Sequence, residues 1–193
     1  MDVFEAIYTR RAIREFAEGE VERFSVLALI DAAVQAPSAM DLQPWAFFVV
    51  QGKAVLERLS SAAKTHLLDS VAPSSPLAKQ KDMLADPSFN IFYGASTLII
   101  VCADGSEQGE AGEGAEDCCL AAENLMLAAR AKDLGTCWVG FARPWLTTAK
   151  AKQELGIPSQ WTPVAPIIVG QPRHMPPPPP RRAPKIVWFT KSA

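Results

Sequence analysis

Five consecutive prolines, Pro176 to Pro180, with Pro184 just beyond, dictate what the end of this chain can become. Each ring locks φ and removes a backbone donor, so Met175 to Pro184 reads as a stiff, extended arm rather than a helix or a central strand. The apolar run Ile186-Val-Trp-Phe189 follows it. A lone strand at the end of such an arm needs a sheet to join, and a second subunit can supply one.

The rest of the chain mixes helical and strand patterns without a regular β-α-β alternation, which favours α+β over a doubly wound sheet. Asp2 caps a first helix that is expected to run into Arg10-Arg-Ala-Ile-Arg14-Glu-Phe16. A second helix starts at Ser25, presents Val26, Leu27, Leu29, Ile30, Ala33 and Val34 inward, and stops before Pro37. Trp45 to Val50 and Thr97 to Ala103 read as buried strands, with a helix over Lys53 to Leu68 between them. Asp117 to Asp133 is apolar nearly all round and reads as a central helix, closed by Gly135. Thr136 to Phe141 and Val164 to Gly170 read as strands, Pro166 being an awkward member of the second, with a helix at Leu146 to Leu155. Residues 70–90, rich in Pro, Ser and Asp, read as a mobile lid with a short helix near Leu77 to Leu84. Gly105 to Glu116 reads as a loop. One domain, 1–193, is expected, with an arm at 171–193.

Several function classes drop out. The 19 basic and 21 acidic residues give a net charge of −2, which argues against a broad nucleic-acid surface. The longest apolar stretch falls far short of the roughly 18 residues a membrane span needs, and no signal-peptide layout opens the chain. A soluble, cytoplasmic protein is expected. Cys102, Cys118, Cys119 and Cys137 include no CxxC pair, and the two histidines, His66 and His174, lie in unrelated contexts, so no metal site is expected. Glycine-rich phosphate loops and a nucleophile elbow are missing.

Three features could carry chemistry. Arg10, Arg11 and Arg14 cluster near a helix end, and Arg181-Arg182 follow the proline arm. A guanidinium fork suits phosphate oxygens, and the two clusters could converge on one dianion; a solvated charged face is the plainer reading of the same spacing. Pro37-Ser-Ala-Met-Asp-Leu-Gln-Pro44 is a polar loop pinned between a helix stop and a strand, with Ser38, Asp41 and Gln43 offering hydrogen bonds, or simply a connection. Leu134-Gly-Thr-Cys-Trp-Val-Gly-Phe141 has small residues that let a ligand approach the backbone, or that merely pack.

Taken in order, Arg10-Arg-Ala-Ile-Arg14-Glu-Phe, Pro37-Ser-Ala-Met-Asp-Leu-Gln-Pro-Trp45, Glu123-Asn-Leu-Met-Leu-Ala-Ala129, Gly135-Thr-Cys-Trp-Val-Gly140, Val169-Gly-Gln-Pro and Arg181-Arg-Ala-Pro184 resemble the flavin-dependent nitroreductase family. The resemblance spans about Val3 to Ile186. It implies a mixed, mainly antiparallel sheet flanked by helices, and a homodimer whose C-terminal segment is exchanged onto the partner. It implies FMN held without a covalent link at the dimer interface. By position, Arg10, Arg11, Ala12 and Arg14 match the first FMN-binding segment, and Arg181 and Arg182 match the basic residues that close on the phosphate. Pro37, Ser38, Ala39, Asp41 and Gln43 match the loop beside the isoalloxazine, contributed across the interface. The backbone of Val139 and Gly140 matches the segment near flavin N5.

Two departures stand out: Ala12 where a serine is common, and Asp41 where an asparagine is usual. A carboxylate beside the ring disfavours an anionic reduced flavin unless a cation such as Arg14 compensates. The activity implied is reduction of nitroaromatic, quinone or similar electron-poor acceptors by NAD(P)H in a ping-pong cycle, with no side-chain nucleophile. The same resemblance also covers reductive dehalogenation or another specialised flavin reaction, and a flavin-binding protein without turnover.

Overall fold

A computed structural model describes residues 1–72, 74–106 and 114–190. Four strands, β1 (Trp45–Gln51), β2 (Thr97–Asp104), β3 (Gly135–Trp138) and β4 (Trp161–Gly170), form one sheet in the order β1-β2-β4-β3. Every neighbouring pair is antiparallel. Strand β2 is buried on both faces, which explains its unbroken Leu-Ile-Ile-Val run. The register sets Phe48 opposite Ile100 and Ile100 opposite Pro166. A bulge at Val101/Cys102 lies between the pairs made by Pro163 and Pro166, where a residue without an N–H disturbs the ladder least.

Seven helices surround the sheet: α1 (Val3–Thr9), α2 (Arg23–Ala33), α3 (Lys53–Ser70), α4 (Lys81–Ala85), α5 (Ala115–Ala131), α6 (Arg143–Leu146) and α7 (Ala149–Leu155), counted among the described residues. On one face Leu98, Ile100, Cys102 and Ile168 pack with Leu56, Leu59 and Leu67 of α3 and with Trp145 and Leu146 of α6. On the other, Ile99, Val101, Ile167 and Val169 pack with Val26 and Leu29 of α2 and with Cys118, Ala121, Leu125 and Ala129 of α5. The alternation of strand residues between two apolar layers produces this three-layer arrangement.

The first helix ends earlier than its sequence suggests. Arg10 already has φ −59°, ψ 135°, and the chain continues extended along the sheet edge. Ala12 bridges Thr136 in parallel, and the Ile13 N–H donates to the Thr136 carbonyl at 2.9 Å. Burial of Ile13 and Phe16 outweighs local helix propensity here. Gly135 and Gly170 create the room: a Cβ on Gly135 would sit 2.7 Å from Ile13 Cγ1, and one on Gly170 2.7 Å from Phe16 Cδ1.

Other expectations shift for local reasons. Helix α2 begins at Arg23, two residues before Ser25, and its Leu27 faces outward. Strand β1 is half-exposed along much of its length because it is an edge strand, so it is less buried than its aromatics suggest. Strand β3 stops at Trp138, and a 3₁₀ turn takes over at Gly140–Ala142. The helix expected at 146–155 is split, because the Thr148 hydroxyl accepts from the Ala151 N–H at 3.1 Å and starts α7 anew. In the expected lid, helix α3 extends to Ser70, a 3₁₀ turn spans Pro76–Gln80, α4 follows, and Leu84 is fully buried. Most of the Gly105–Glu116 loop lies outside the described residues. The run Ile186 to Phe189 is not a strand within this chain: it pairs with no described residue, and Val187 is 94% and Phe189 91% exposed.

Candidate active site

The arginine cluster rests on the extended segment after α1, not on a continuing helix, so Arg10 and Arg14 do not share a helical face. Arg10 Nε lies 3.3 Å from Glu123 Oε1 on α5. The Arg11 guanidinium turns back on its own backbone, Nη1 donating to the Tyr8 and Arg10 carbonyls at 2.9 and 2.7 Å. Arg11 Nε is buried without a hydrogen-bond partner among the described residues. Such an orphaned donor costs free energy unless a ligand meets it. The Arg14 guanidinium lies over the Tyr93 ring, 5.7 Å from its centroid.

A cavity of about 330 Å³ is lined by Arg14, Leu77, Tyr93, Trp138, Val139 and Gly140, with Cys137 and Phe141 completing the wall. The structure therefore brings Arg14 together with the Val139–Gly140 segment. The two backbone donors of that segment are not equivalent. The Val139 N–H is already given to the Pro166 carbonyl at 2.8 Å, whereas Gly140 opens a 3₁₀ turn and its N–H meets no acceptor among the described residues. A Cβ at Gly140 would have nothing within 4 Å, so this backbone is open to a ligand. Burial raises the Cys137 thiol pKa, with Arg14 and Arg10 opposing the rise, so a neutral packing thiol is favoured.

The 37–44 loop is held by its own polar groups. Ser38 Oγ accepts from the Gln43 N–H at 3.0 Å, and Gln43 Nε2 donates to Asp41 Oδ1 at 2.8 Å. Met40, Asp41 and Gln43 all take positive φ, between 49° and 57°, an unusual concentration of left-handed backbone. The Ala39 N–H donates to both carboxylate oxygens of buried Asp117 on α5 at 3.3 Å. Pro37, Ala39 and Asp41 are exposed and Ser38 is half-buried. None of them lines the cavity beside Arg14. The Asp41 carboxylate is satisfied by Gln43 rather than by Arg14. Arg181 and Arg182 are exposed on the arm and do not line the cavity beside Arg14.

The match to known proteins decides the family. The model of the nitroreductase family matches residues 7–171. The chain belongs to the nitroreductase family. A Methanothermobacter thermautotrophicus protein, provisionally named NADH dehydrogenase/NAD(P)H nitroreductase, is 31% identical over 176 residues, covering 91% of this chain and 80% of that protein. Two crystal structures of nitroreductases with bound FMN share the fold. That from Desulfitobacterium hafniense superposes with a TM-score of 0.81 and that from Bacteroides fragilis with 0.80, each at 22% identity over 98% of this chain and 100% of the other.

Features of this nitroreductase-family chain itself fit a flavin mononucleotide. The unpaired Arg11 donor suits an anion, the open Gly140 backbone suits a flat polar edge, and aromatic and apolar side chains flank the cavity between Arg14 and Gly140. Sequence reasoning missed Tyr93 and Asp117. The Tyr93-Gly94 pair ahead of a strand is a turn signal that could have drawn notice, but the burial of Asp117 is set by the distant Ala39 and has no local signature.

Proposed function

We propose that this protein is an FMN-dependent oxidoreductase that takes reducing equivalents from NAD(P)H and delivers them to an electron-poor acceptor such as a nitroaromatic or quinone. The observation that carries the reading is the cavity with the Arg14 cation on one side and, on the other, the exposed Gly140 backbone, whose N–H has no acceptor among the described residues. Bound FMN supplies the capacity to accept a hydride and return its electrons.

The chain's own residues bind and tune. Arg10 and Arg11 hold the phosphate, joined by Arg181 and Arg182 when the arm closes. Arg14 on one wall would place positive charge beside the bound ring, and the Gly140 N–H on the other would donate to it; both would favour the negative charge that reduction adds. Val139 keeps this donor in place, because its own N–H is tied to β4. Leu77, Trp138, Phe141 and Tyr93 exclude water from the cavity and offer stacking surfaces. The Ser38 loop serves the second subunit of a homodimer, and one exposed face serves both substrates in turn, giving a ping-pong order.

Visible absorption of the purified protein, with FMN and then NAD(P)H added anaerobically, tests this reading. The expected result is a bound flavin spectrum that bleaches on addition of the nicotinamide. Flavin that binds but does not bleach would remove the NAD(P)H assignment, and no flavin binding would remove the reading altogether.

A further inference from the structure

The loop at 37–44 is a preformed unit with a single external tie. Its two ends are anchored: Ala36 and Pro44 are buried, and the Pro44 carbonyl accepts from the Asp104 N–H at 2.7 Å. Between them the loop bonds to itself. The Asp41 N–H donates to the Ser38 carbonyl at 3.3 Å and the Leu42 N–H to the Ala39 carbonyl at 3.0 Å, beside the Ser38–Gln43 and Gln43–Asp41 contacts. Among the described residues, only the bifurcated bond from the Ala39 N–H to Asp117 leaves residues 38–43.

Asp117 is a costly choice for that tie. It stands in the first turn of α5, 78 positions along the chain from Ala39, and is only 7% exposed. An acid there favours the helix end, but Glu116 beside it does the same from an exposed position. Burying a carboxylate carries a desolvation cost that one backbone donor, 3.3 Å from each oxygen, offsets only in part. An apolar side chain would serve packing better at the same place. What the carboxylate supplies is position. Met40, Asp41 and Gln43 hold left-handed backbone, which persists only where the surroundings over-determine it. Met40 is 87% exposed at the tip, so the loop presents itself away from its own chain.

We propose that Asp117 is a positioning residue: its buried carboxylate, acting through the Ala39 N–H, sets where the Ser38 loop stands and so the wall offered to the flavin of the second subunit. The inference rests on the flavin reading for what the loop serves; the clamp itself is a property of the chain. Asp117 does not line the cavity beside Arg14 and acts only through the loop it holds.

Three substitutions test this. Asp117→Leu removes the acceptor, Asp117→Asn keeps an acceptor oxygen without the charge, and Ala39→Pro removes the donor. Proline suits position 39, because Ser38 before it is already extended (φ −134°, ψ 154°) and Ala39 opens a 3₁₀ turn. FMN affinity and the absorption envelope of bound flavin are measured for each variant and for Ala39→Pro combined with Asp117→Leu. Asp117→Leu and Ala39→Pro should each weaken FMN binding about tenfold, and the double variant should be no weaker than either, because all lose the same bond. Asp117→Asn should stay within about threefold of the parent. Chymotrypsin cleavage after Met40 and Leu42, located by mass, reads the loop with no flavin added and should be about tenfold faster in Asp117→Leu. Additive losses in the double variant, an Asp117→Asn as damaged as Asp117→Leu, or unchanged flavin binding in Asp117→Leu would each overturn the proposal. Should Asp117→Leu fail to fold, Ala39→Pro on the exposed loop carries the comparison with Asp117→Asn, and unchanged flavin binding there is the overturning result. Faster cleavage in Asp117→Leu when the parent binds no FMN would uphold the clamp and remove the flavin reading, so the two failures are distinct.

Discussion

At the scale of single residues, the arginines do different jobs although they are close in sequence. Arg10 is tied to Glu123, Arg11 is folded back with one donor orphaned, and Arg14 lies over an aromatic ring. A charge-assisted contact to phosphate contributes roughly 1.5–3 kcal/mol, so Arg10→Ala should weaken FMN binding roughly tenfold to a hundredfold. Fluorescence titration of the apoprotein measures this, and unchanged affinity would remove Arg10 from the phosphate site. The cluster was legible because guanidinium groups advertise anion chemistry. The orphaned Arg11 donor was not, since it depends on how the backbone turns after Tyr8. The thiols give a second prediction. Burial pushes Cys102 and Cys118 from 9.0 up to about 12, and Cys118 donates to the Cys102 carbonyl at 3.3 Å. Their folded-state values lie above the unfolded one, so the unfolded chain loses these protons first. This contribution to stability is whole below pH 9 and falls as pH rises toward 12. Thermal unfolding measured from pH 8 to 11 should decline less steeply in Cys118→Ala than in the parent, and equal slopes would refute the assignment.

At the scale of elements, the position of the candidate site depends on a single glycine. Gly135 lets Ile13 lie against β3, and this contact fixes where the arginine-bearing segment runs. Gly135→Ala would force a Cβ into Ile13 at 2.7 Å, an overpacking cost of about 1–3 kcal/mol, and should weaken FMN binding through the shifted 10–14 segment. The double variant with Ile13→Ala should cost less than the sum of the two singles, because the clash has one cause. Strict additivity in denaturant titrations would mean that the contact does not set the segment's place. This also marks where sequence reading succeeded and where it stopped. The Thr97–Ala103 run was legible because its residues are all buried, and α5 because Cys118, Ala121, Ala122, Leu125, Met126 and Ala129 recur at helical spacing, although the helix is buried on one face only and Leu120 is 47% exposed. The end of α1 was not, because Arg10 to Phe16 contains nothing that stops a helix. What stops it is a partner at Thr136, supplied by tertiary structure. Lys64 stayed hidden for the same reason, since a lysine on a helix reads as solvent-facing until its two carbonyl partners are in place.

At the scale of the whole molecule, one chain leaves apolar surface that a single copy does not cover. Phe4 is 67% and Tyr8 74% exposed on α1, and Trp188 is 83% exposed beyond the proline arm. Contiguous or repeated exposure of large apolar groups marks interaction surfaces, and a stiff arm ending in such residues is built to reach rather than to fold back. The Ser38 loop and Arg181-Arg182 fit the proposed homodimer, because neither lines the cavity beside Arg14 within one chain. A second copy would cover the apolar faces and complete the site together, which couples cofactor binding to assembly. Deleting residues 185–193 removes the terminal apolar run while sparing every described helix and strand. Sedimentation velocity should then show the dimer weakened, with FMN affinity falling in parallel at protein concentrations near the new dissociation constant. Excess FMN should drive the truncated chain back toward dimer, as linkage requires. A truncated protein that remains fully dimeric with unaltered flavin affinity would place the dimer contacts elsewhere, on α1 and the exposed edge of α2, and would leave the terminal run beyond Pro184 with no part in closing the site.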